Sequence, residues 1–264
     1  MIEVIQQKLQ LLTSAEEKYN QLREFLQHLI LKIVDENGYF RNLAFVGGTA
    51  LRILYGLKRF SEDCDFCLVD HSHYDFSTIM HTLERHLQLY HFDVEIRFKD
   101  HKNVASAFIK FDNILYLLGL TQHIDKKLLI KFEVDQHTPK GYQTELSVIN
   151  QDFLIGINHF DLPSLFAGKL HAVLCRKYAK GRDYYDLIWY ISQKIQPNFV
   201  LLNNAVQQTE HQDWHIDKDK LSCLLKERME RADFSKIRAD VTPFLMDSKE
   251  ARFFEKKYFL SLIG

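Results

Sequence analysis

The 264-residue chain is short of residues that interrupt regular structure. Its 10 glycines and 4 prolines make up about 5% of it, against a usual roughly 12%. That scarcity excludes collagen, low-complexity linkers and a turn-rich sandwich of short strands, and it favours long elements. No sign of charge prevails: 34 Lys and Arg face 35 Asp and Glu, a formal net charge of −1. The chain therefore does not coat nucleic acid by bulk charge, although a local basic face stays open. No apolar run approaches the roughly 20 residues that span a bilayer. The stretch Met1 to Lys8 has no basic start, apolar core or small-residue cleavage site of a signal peptide. Both observations point to a cytoplasmic protein with no membrane partner. Cysteine is sparse as well, at 4 residues. Cys64-x-x-Cys67 has the spacing of half a zinc site, but no second CxxC or CxxH follows. On a strand, an offset of three also sends the two side chains to opposite faces, so ordinary thiols are the reading.

What is present is an ordinary globular balance, 46% hydrophobic and 26% charged, with enough apolar mass for a substantial core. Length allows one large domain or two modest ones. Leu22, Phe25, Leu26, Leu29, Ile30 and Ile33 recur at helical spacing and predict one helix over 3–34, ended by Asn37-Gly38. Leu43 to Val46 reads as a buried strand, stopped by Gly47-Gly48 and followed by a short helix from Thr49 to Tyr55. Asp63 to Val69 reads as a second strand, and a helix is expected over 76–90. Strand-like runs follow at Val94–Lys99, Val104–Phe111, Ile114–Leu120 and Leu128–Val134, with another near Tyr142–Val148. Asp161-Leu162-Pro163 has the form of a helix start. Beyond it Phe166, Leu170, Val173, Leu174 and Tyr178 form one apolar face, and Tyr184, Leu187, Ile188 and Ile191 another. The expectation is an α/β (α+β) protein in three parts: an N-terminal helical segment over 1–40, an α/β core with a mixed sheet over 41–160, and a helical C-terminal domain over 161–264.

Within that frame, chemistry concentrates at a few places. Gly47-Gly48 lies where a strand gives way to a helix, so backbone N–H groups there can approach a phosphate and the helix dipole favours it; a purely structural turn fits the same residues. In Ser61-Glu62-Asp63-Cys64-Asp65, the carboxylates of Asp63 and Asp65 project to one face of a strand. Two adjacent carboxylates repel unless a cation joins them, and Mg²⁺ takes hard oxygen ligands while leaving room for substrate phosphates. Lys131, Glu133 and Asp135 alternate with Ile130, Phe132 and Val134, so Glu133 or Asp135 could add a third carboxylate from a neighbouring strand. Later, Lys169, Arg176 and Lys180 fall near one helix face, and Asp183 and Asp186 share another. Residues 163–194 carry six basic side chains (Lys169, Arg176, Lys177, Lys180, Arg182, Lys194) against two acids, a local +4 within a chain of −1. A basic face beside paired acids suits binding and activating a polyphosphate.

Taken in order, Phe45-Val46-Gly47-Gly48-Thr49-Ala50-Leu51-Arg52 and Arg59-Phe60-Ser61-Glu62-Asp63-Cys64-Asp65-Phe66 resemble the nucleotide-binding signature of the AbiEii/AbiGii-type toxin nucleotidyltransferases, within the polymerase-β-like nucleotidyltransferase superfamily. Lys169 followed by Arg182-Asp183-Tyr184-Tyr185-Asp186-Leu187 resembles that family's second signature, and the likeness covers roughly 43–190. The resemblance implies a polymerase-β-like core and a toxin of a toxin–antitoxin or abortive-infection system acting in phage defence. It implies transfer of a nucleotidyl group from an NTP, in some members to tRNA, with Mg²⁺ as cofactor and a cognate antitoxin as partner. By the same resemblance Asp63, Asp65 and Glu133 would hold the metal. Gly47, Gly48, Thr49, Arg52, Ser61, Arg176 and Arg182 would surround the nucleotide. Lys169 would contact phosphates, and Asp183 or Asp186 would complete the site or act as base. Ser61 matches a position that is modified in relatives to silence the toxin. Two other readings use the same residues: a nucleotide- or partner-binding regulatory module without turnover, and a metal-dependent nuclease.

Overall fold

The computed structural model describes residues 1–263. Its elements in chain order are α1 (Ile2–Gln10), α2 (Ala15–Glu36), β1 (Leu43–Val46), α3 (Gly47–Tyr55), β2 (Cys64–Leu68), α4 (Phe76–Leu89), β3 (Val94–Asp100), β4 (Val104–Phe111), α5 (Ile114–Leu117), β5 (Leu128–Asp135), β6 (Thr144–Asn150), β7 (Leu154–Phe160), α6 (Leu162–Cys175), α7 (Gly181–Ser192), α8 (Phe199–Glu210), α9 (Lys218–Arg231), α10 (Phe234–Val241) and α11 (Lys256–Ile263). The chain divides into two compact units. The first takes residues 1–50, 60–138 and 146–159; the second takes 51–59, 139–145 and the chain from Phe160 onwards.

A seven-stranded sheet in the order β3-β4-β5-β2-β1-β7-β6 organises the first unit. It is mixed: β2 pairs parallel with β5, and β1 with β7, while β1–β2, β3–β4 and β4–β5 are antiparallel. The period of two sorts the strands cleanly. Phe45, Phe66, Ile130, Phe132, Val134, Ala107 and Ile109 are all wholly buried or nearly so, with their alternate neighbours on the opposite face. Phe66 stacks on Phe132 at 4.5 Å between centroids and touches Phe45 at 5.3 Å, and Phe76 of α4 closes the row against Phe132 at 6.3 Å. Helix α2 lays its buried Leu26, Leu29, Ile30 and Ile33 into this core. Among the described residues no helix is long and apolar enough to cross a membrane.

In the first unit the local structure departs from the pattern reading in three places. The helix expected over 3–34 breaks at residues 11–14, because Ser14 starts a new helix and its hydroxyl accepts from the Glu17 amide. Ser14-x-x-Glu17 is a capping-box sequence, a signal strong enough to have divided the helix. The run Ile114–Leu120, expected as a strand, forms only the short helix α5 after Asn113 turns the chain at φ 58°; a short leucine-rich run does not declare its period. Strand β7 was not expected at all. Gly156 and Asn158, residue types that strands disfavour, hold its alternate positions, yet Ile155 and Ile157 are fully buried and the Gly156 amide donates to Asp35 at 2.9 Å.

In the second unit α6 packs on α7, α8 and α9, while α7 packs on α10 and α11. Asp161 caps α6 by accepting from the Ser164 amide, with Pro163 in the first turn, as the sequence indicated. Phe166 and Tyr190 stack at 4.2 Å, and Tyr184 meets Phe234 and Phe259 edge-on. Tyr178, grouped with the apolar face of α6 on spacing, lies beyond the end of that helix and is exposed.

Candidate active site

The first unit gathers the Gly-Gly turn and the Asp-x-Asp strand. Antiparallel pairing sets Val46, the last residue of β1, opposite Asp65 of β2, so the next residue, Gly47, turns the chain beside that carboxylate. Gly47 has φ +80°, and a Cβ built on it would lie 2.4 Å from Asp65 Oδ2. Glycine is thus required twice over, by a left-handed backbone and by the Asp65 carboxylate packed against it. Two residues on, the Thr49 hydroxyl donates to the Asp63 carbonyl oxygen, fixing the chain just before β2. Thr49 is buried, so its role here is to position Asp63. Ser61 is half-buried, and its carbonyl accepts from Gln27 Nε2 of α2 at 3.2 Å, while Arg23 of the same helix stands 3.4 Å from Glu62.

Parallel pairing brings Glu133 of β5 directly opposite Asp65, whereas Asp135 falls opposite Cys67. Glu133 is the acid that shares Asp65's row. Lys131, two residues earlier on the same face, holds Glu133 at 2.7 Å. Burial pushes the Asp135 carboxyl above its ordinary value despite the His137 amide it accepts from. Burial likewise pushes up the thiols of Cys64 and Cys67.

Among the described residues no three His, Cys, Asp or Glu side chains are drawn close enough to hold a metal ion as they stand. The donors fit a hard divalent cation all the same. Asp65 and Glu133 are register partners on adjacent parallel strands, so two carboxylates, hard oxygen donors of the kind such a cation prefers, stand in one row.

The remaining site candidates lie in the second unit, where Lys169, Arg176, Asp183 and Asp186 join Arg59 in an ion-pair cluster. Arg59 presents its guanidinium fork to both oxygens of Asp186, Nε to Oδ1 at 2.7 Å and Nη2 to Oδ2 at 2.6 Å. Lys169 Nζ bridges Asp186 at 2.8 Å and Asp183 at 2.7 Å, and Arg176 binds the other Asp183 oxygen. Asp186 is fully buried and Arg59 nearly so. Burial by itself would lower the Lys169 pKa, but Asp183 and Asp186 outweigh it and hold the ammonium above its ordinary value. Burial by itself would raise the Asp183 pKa, but Lys169 and Arg176 hold that carboxyl below its ordinary value. Arg52 donates to the Leu57 carbonyl at 2.9 Å, and the Arg182 guanidinium lies 4.3 Å from the Phe244 ring centroid. Two pairings escaped the sequence reading, Arg59 with Asp186 and Lys131 with Glu133. Lys131 was recoverable from its i,i+2 place on one strand face; for Arg59, 127 residues from Asp186, no local signal existed.

Two of the solved structures that share this fold match nearly the whole chain. One is JHP933 from Helicobacter pylori, 19% identical, with a TM-score of 0.55 over 92% of this chain and 90% of that one. The other, from H. pylori and proposed to be a nucleotidyltransferase, is 20% identical, with a TM-score of 0.56 over 96% and 94%. The model of the nucleotidyl transferase AbiEii toxin family, of the type IV toxin–antitoxin systems, matches residues 29–257, and the chain belongs to this family. It is therefore a nucleotidyltransferase of the toxin–antitoxin class. No curated protein matches it.

Alanine at position 47 should act on the site more than on the fold. The left-handed backbone alone costs about 1–2 kcal/mol, and the new methyl must displace the Asp65 carboxylate. The expected result is a modest fall in the urea midpoint of Gly47→Ala together with a loss of nucleotidyl transfer of tenfold or more, read on protein shown to be folded at the assay temperature.

Proposed function

We propose that the protein transfers a nucleotidyl group from an NTP to an RNA acceptor, tRNA in the first instance, with Mg²⁺ held by Asp63, Asp65 and Glu133 and a cognate antitoxin as its restraining partner. The observation that carries this reading is the contact of Gly47 with Asp65, which joins the phosphate-approach turn to the carboxylate strand in one place. Bound there, Mg²⁺ would neutralise charge on the triphosphate and on the oxygens entering and leaving the α-phosphorus. The first amides of α3, at Gly47 and Gly48, offer N–H groups and the positive end of the helix dipole to phosphate. Thr49 keeps Asp63 in place, and Glu133 is balanced by Lys131 until a cation competes for it.

In the reaction, an acceptor hydroxyl oxygen forms a bond to the α-phosphorus while the bond to the β-phosphate oxygen breaks. Pyrophosphate leaves with the electron pair, and the hydroxyl proton passes to a base. Asp183 or Asp186 was expected to complete the site or act as base, but each is already committed to cationic partners. We assign these two, with Lys169 and Arg59, to holding α6 and α7 together. Arg176, whose side chain is 45% exposed, is the cation of that cluster best able to meet a phosphate.

The test is to incubate the protein with total tRNA, Mg²⁺ and each NTP labelled at either the α- or the γ-phosphate. Label from the α position should enter RNA and label from the γ position should leave as pyrophosphate. RNA cleaved without NTP would instead identify a nuclease, and nucleotide bound without any transfer would identify a regulatory module.

A further inference from the structure

One face of the β3–β4–β5 sheet is closed by the core; the other is open and oddly furnished. Phe108 lies on β4, between two paired neighbours rather than at an edge, and is 45% exposed, while Ala107 and Ile109 beside it are fully buried. The register places Arg97 of β3 opposite Phe108 on one side and Lys131 of β5 opposite it on the other. Across three strands the row therefore reads cation, aromatic, cation, with Lys131 Nζ 6.0 Å from the ring centroid. The next row, two residues along and so about 7 Å away, reads Lys99, Ser106, Glu133 and Asp65.

A lone exposed apolar side chain needs no explanation. A flat ring in the middle of a sheet, flanked by cations and one row from a pair of carboxylates, is a more particular arrangement. Arg97 binds Glu95 at 2.6 Å and Lys110 stands 3.6 Å from the same acid. Exposed pairs of this kind are weak and exchange readily for another anion. Outside the acid row this face carries Arg97, Lys110 and Lys131 against Glu95 and Asp135, and the three cations all lie on the Phe108 side of that row. A ring with cations on both sides matches an unpaired base and its neighbouring phosphates. A duplex would present phosphates but no base face.

We propose that Phe108, with Arg97 and Lys131, is a stacking site for single-stranded RNA, and that it delivers the acceptor end to the row of Asp65 and Glu133. The second half of that statement rests on the nucleotidyl-transfer reading; the first does not.

The experiment follows fluorescence anisotropy of a 5′-labelled 12-nucleotide single-stranded RNA, and of the same sequence annealed to its complement, on the full chain over a range of salt. Phe108→Ala should weaken single-strand binding roughly tenfold, within the range for one stacked base. Phe108→Trp should stay within about twofold of wild type, since the ring is what matters. Arg97→Gln should lower the slope of log affinity against log salt by about 0.7. The proposal is overturned if the wild type binds no RNA, if the duplex binds as tightly as the single strand, or if Phe108→Ala binds like wild type. An acidic protein would then be the occupant to seek. NTP binding, followed separately by thermal shift, should be the same in Phe108→Ala and wild type. Single-strand binding that depends on Phe108, in a protein that labels no RNA with any NTP, would uphold the stacking site and sink the transferase reading alone.

Discussion

Asp65→Asn is expected to reduce NTP-dependent labelling of RNA by roughly a thousandfold, the effect of losing several kcal/mol of charge stabilisation at the reacting phosphate. The substitution keeps shape and removes only charge, so Gly47 and Val46 still pack as before. Stability should move the other way. Asp65 and Glu133 are register partners on adjacent strands, and like charges side by side on a sheet destabilise it. In metal-free buffer the variant should therefore melt at the wild-type temperature or slightly above. Adding Mg²⁺ should raise the melting temperature of the wild type but not of Asp65→Asn, because only a folded site binds the cation. Transfer by the variant within threefold of wild type, or an equal Mg²⁺ shift in both proteins, would remove Asp65 from the site. Glu133→Gln should be the milder lesion, since it also frees Lys131, whose charge then remains near the phosphates.

The parts of this site that could be read in the sequence are those held by short-range geometry. Gly47 and Asp65 meet because β1 and β2 are neighbouring antiparallel strands, so a turn at the end of one must lie beside the start of the other. Glu133 and Asp135 were equivalent on alternation alone; only the parallel register of β5 against β2 separates them, by placing Glu133 beside Asp65 and Asp135 beside Cys67. Register is a tertiary quantity and leaves no mark on a single strand. The same holds for the second unit. That Lys169, Asp183 and Asp186 were special was legible from helical spacing, but their use was not. Whether an acid on a helix faces substrate or a buried arginine depends on Arg59, which arrives from far along the chain. The misread elements follow the same logic. Ser14-x-x-Glu17 carries a local helix-start signal that divides the run in spite of the apolar periodicity downstream, whereas β7 is a strand chiefly because β1 and β6 flank it.

Asp186→Ala should be the most destabilising single change in the second unit. It strips the Arg59 fork and one of the two Lys169 contacts at once, leaving two cations in a buried place with Asp183 as the nearest remaining acid. Breaking one side of a buried pair costs about 3–5 kcal/mol, which for a chain of this length lowers the melting temperature by about 10 °C. The diagnostic comparison is Asp186→Leu with Arg59→Met. If the loss in the single variant comes from stranded charge, the double variant should recover most of it, because an apolar pair of similar volume replaces a desolvated ionic one. If Asp186 instead stabilised through packing alone, the double variant would be worse than either single one. The pH dependence has a definite sign. Asp183 titrates below the ordinary 3.8 of a carboxyl in the fold, so its contribution is present above that value and is lost as pH falls through the lowered native one. Lys169 is held above its ordinary 10.5, so its contribution is present below 10.5 and disappears as pH rises through the native value. Urea midpoints measured from pH 7 down to pH 2 should therefore fall more steeply for the wild type than for Asp183→Asn, which has already lost the charge. Equal slopes would mean that the cluster is not ionised as drawn, and Lys169 would then return as a candidate phosphate ligand, since an ammonium without committed carboxylate partners has donors left for a nucleotide.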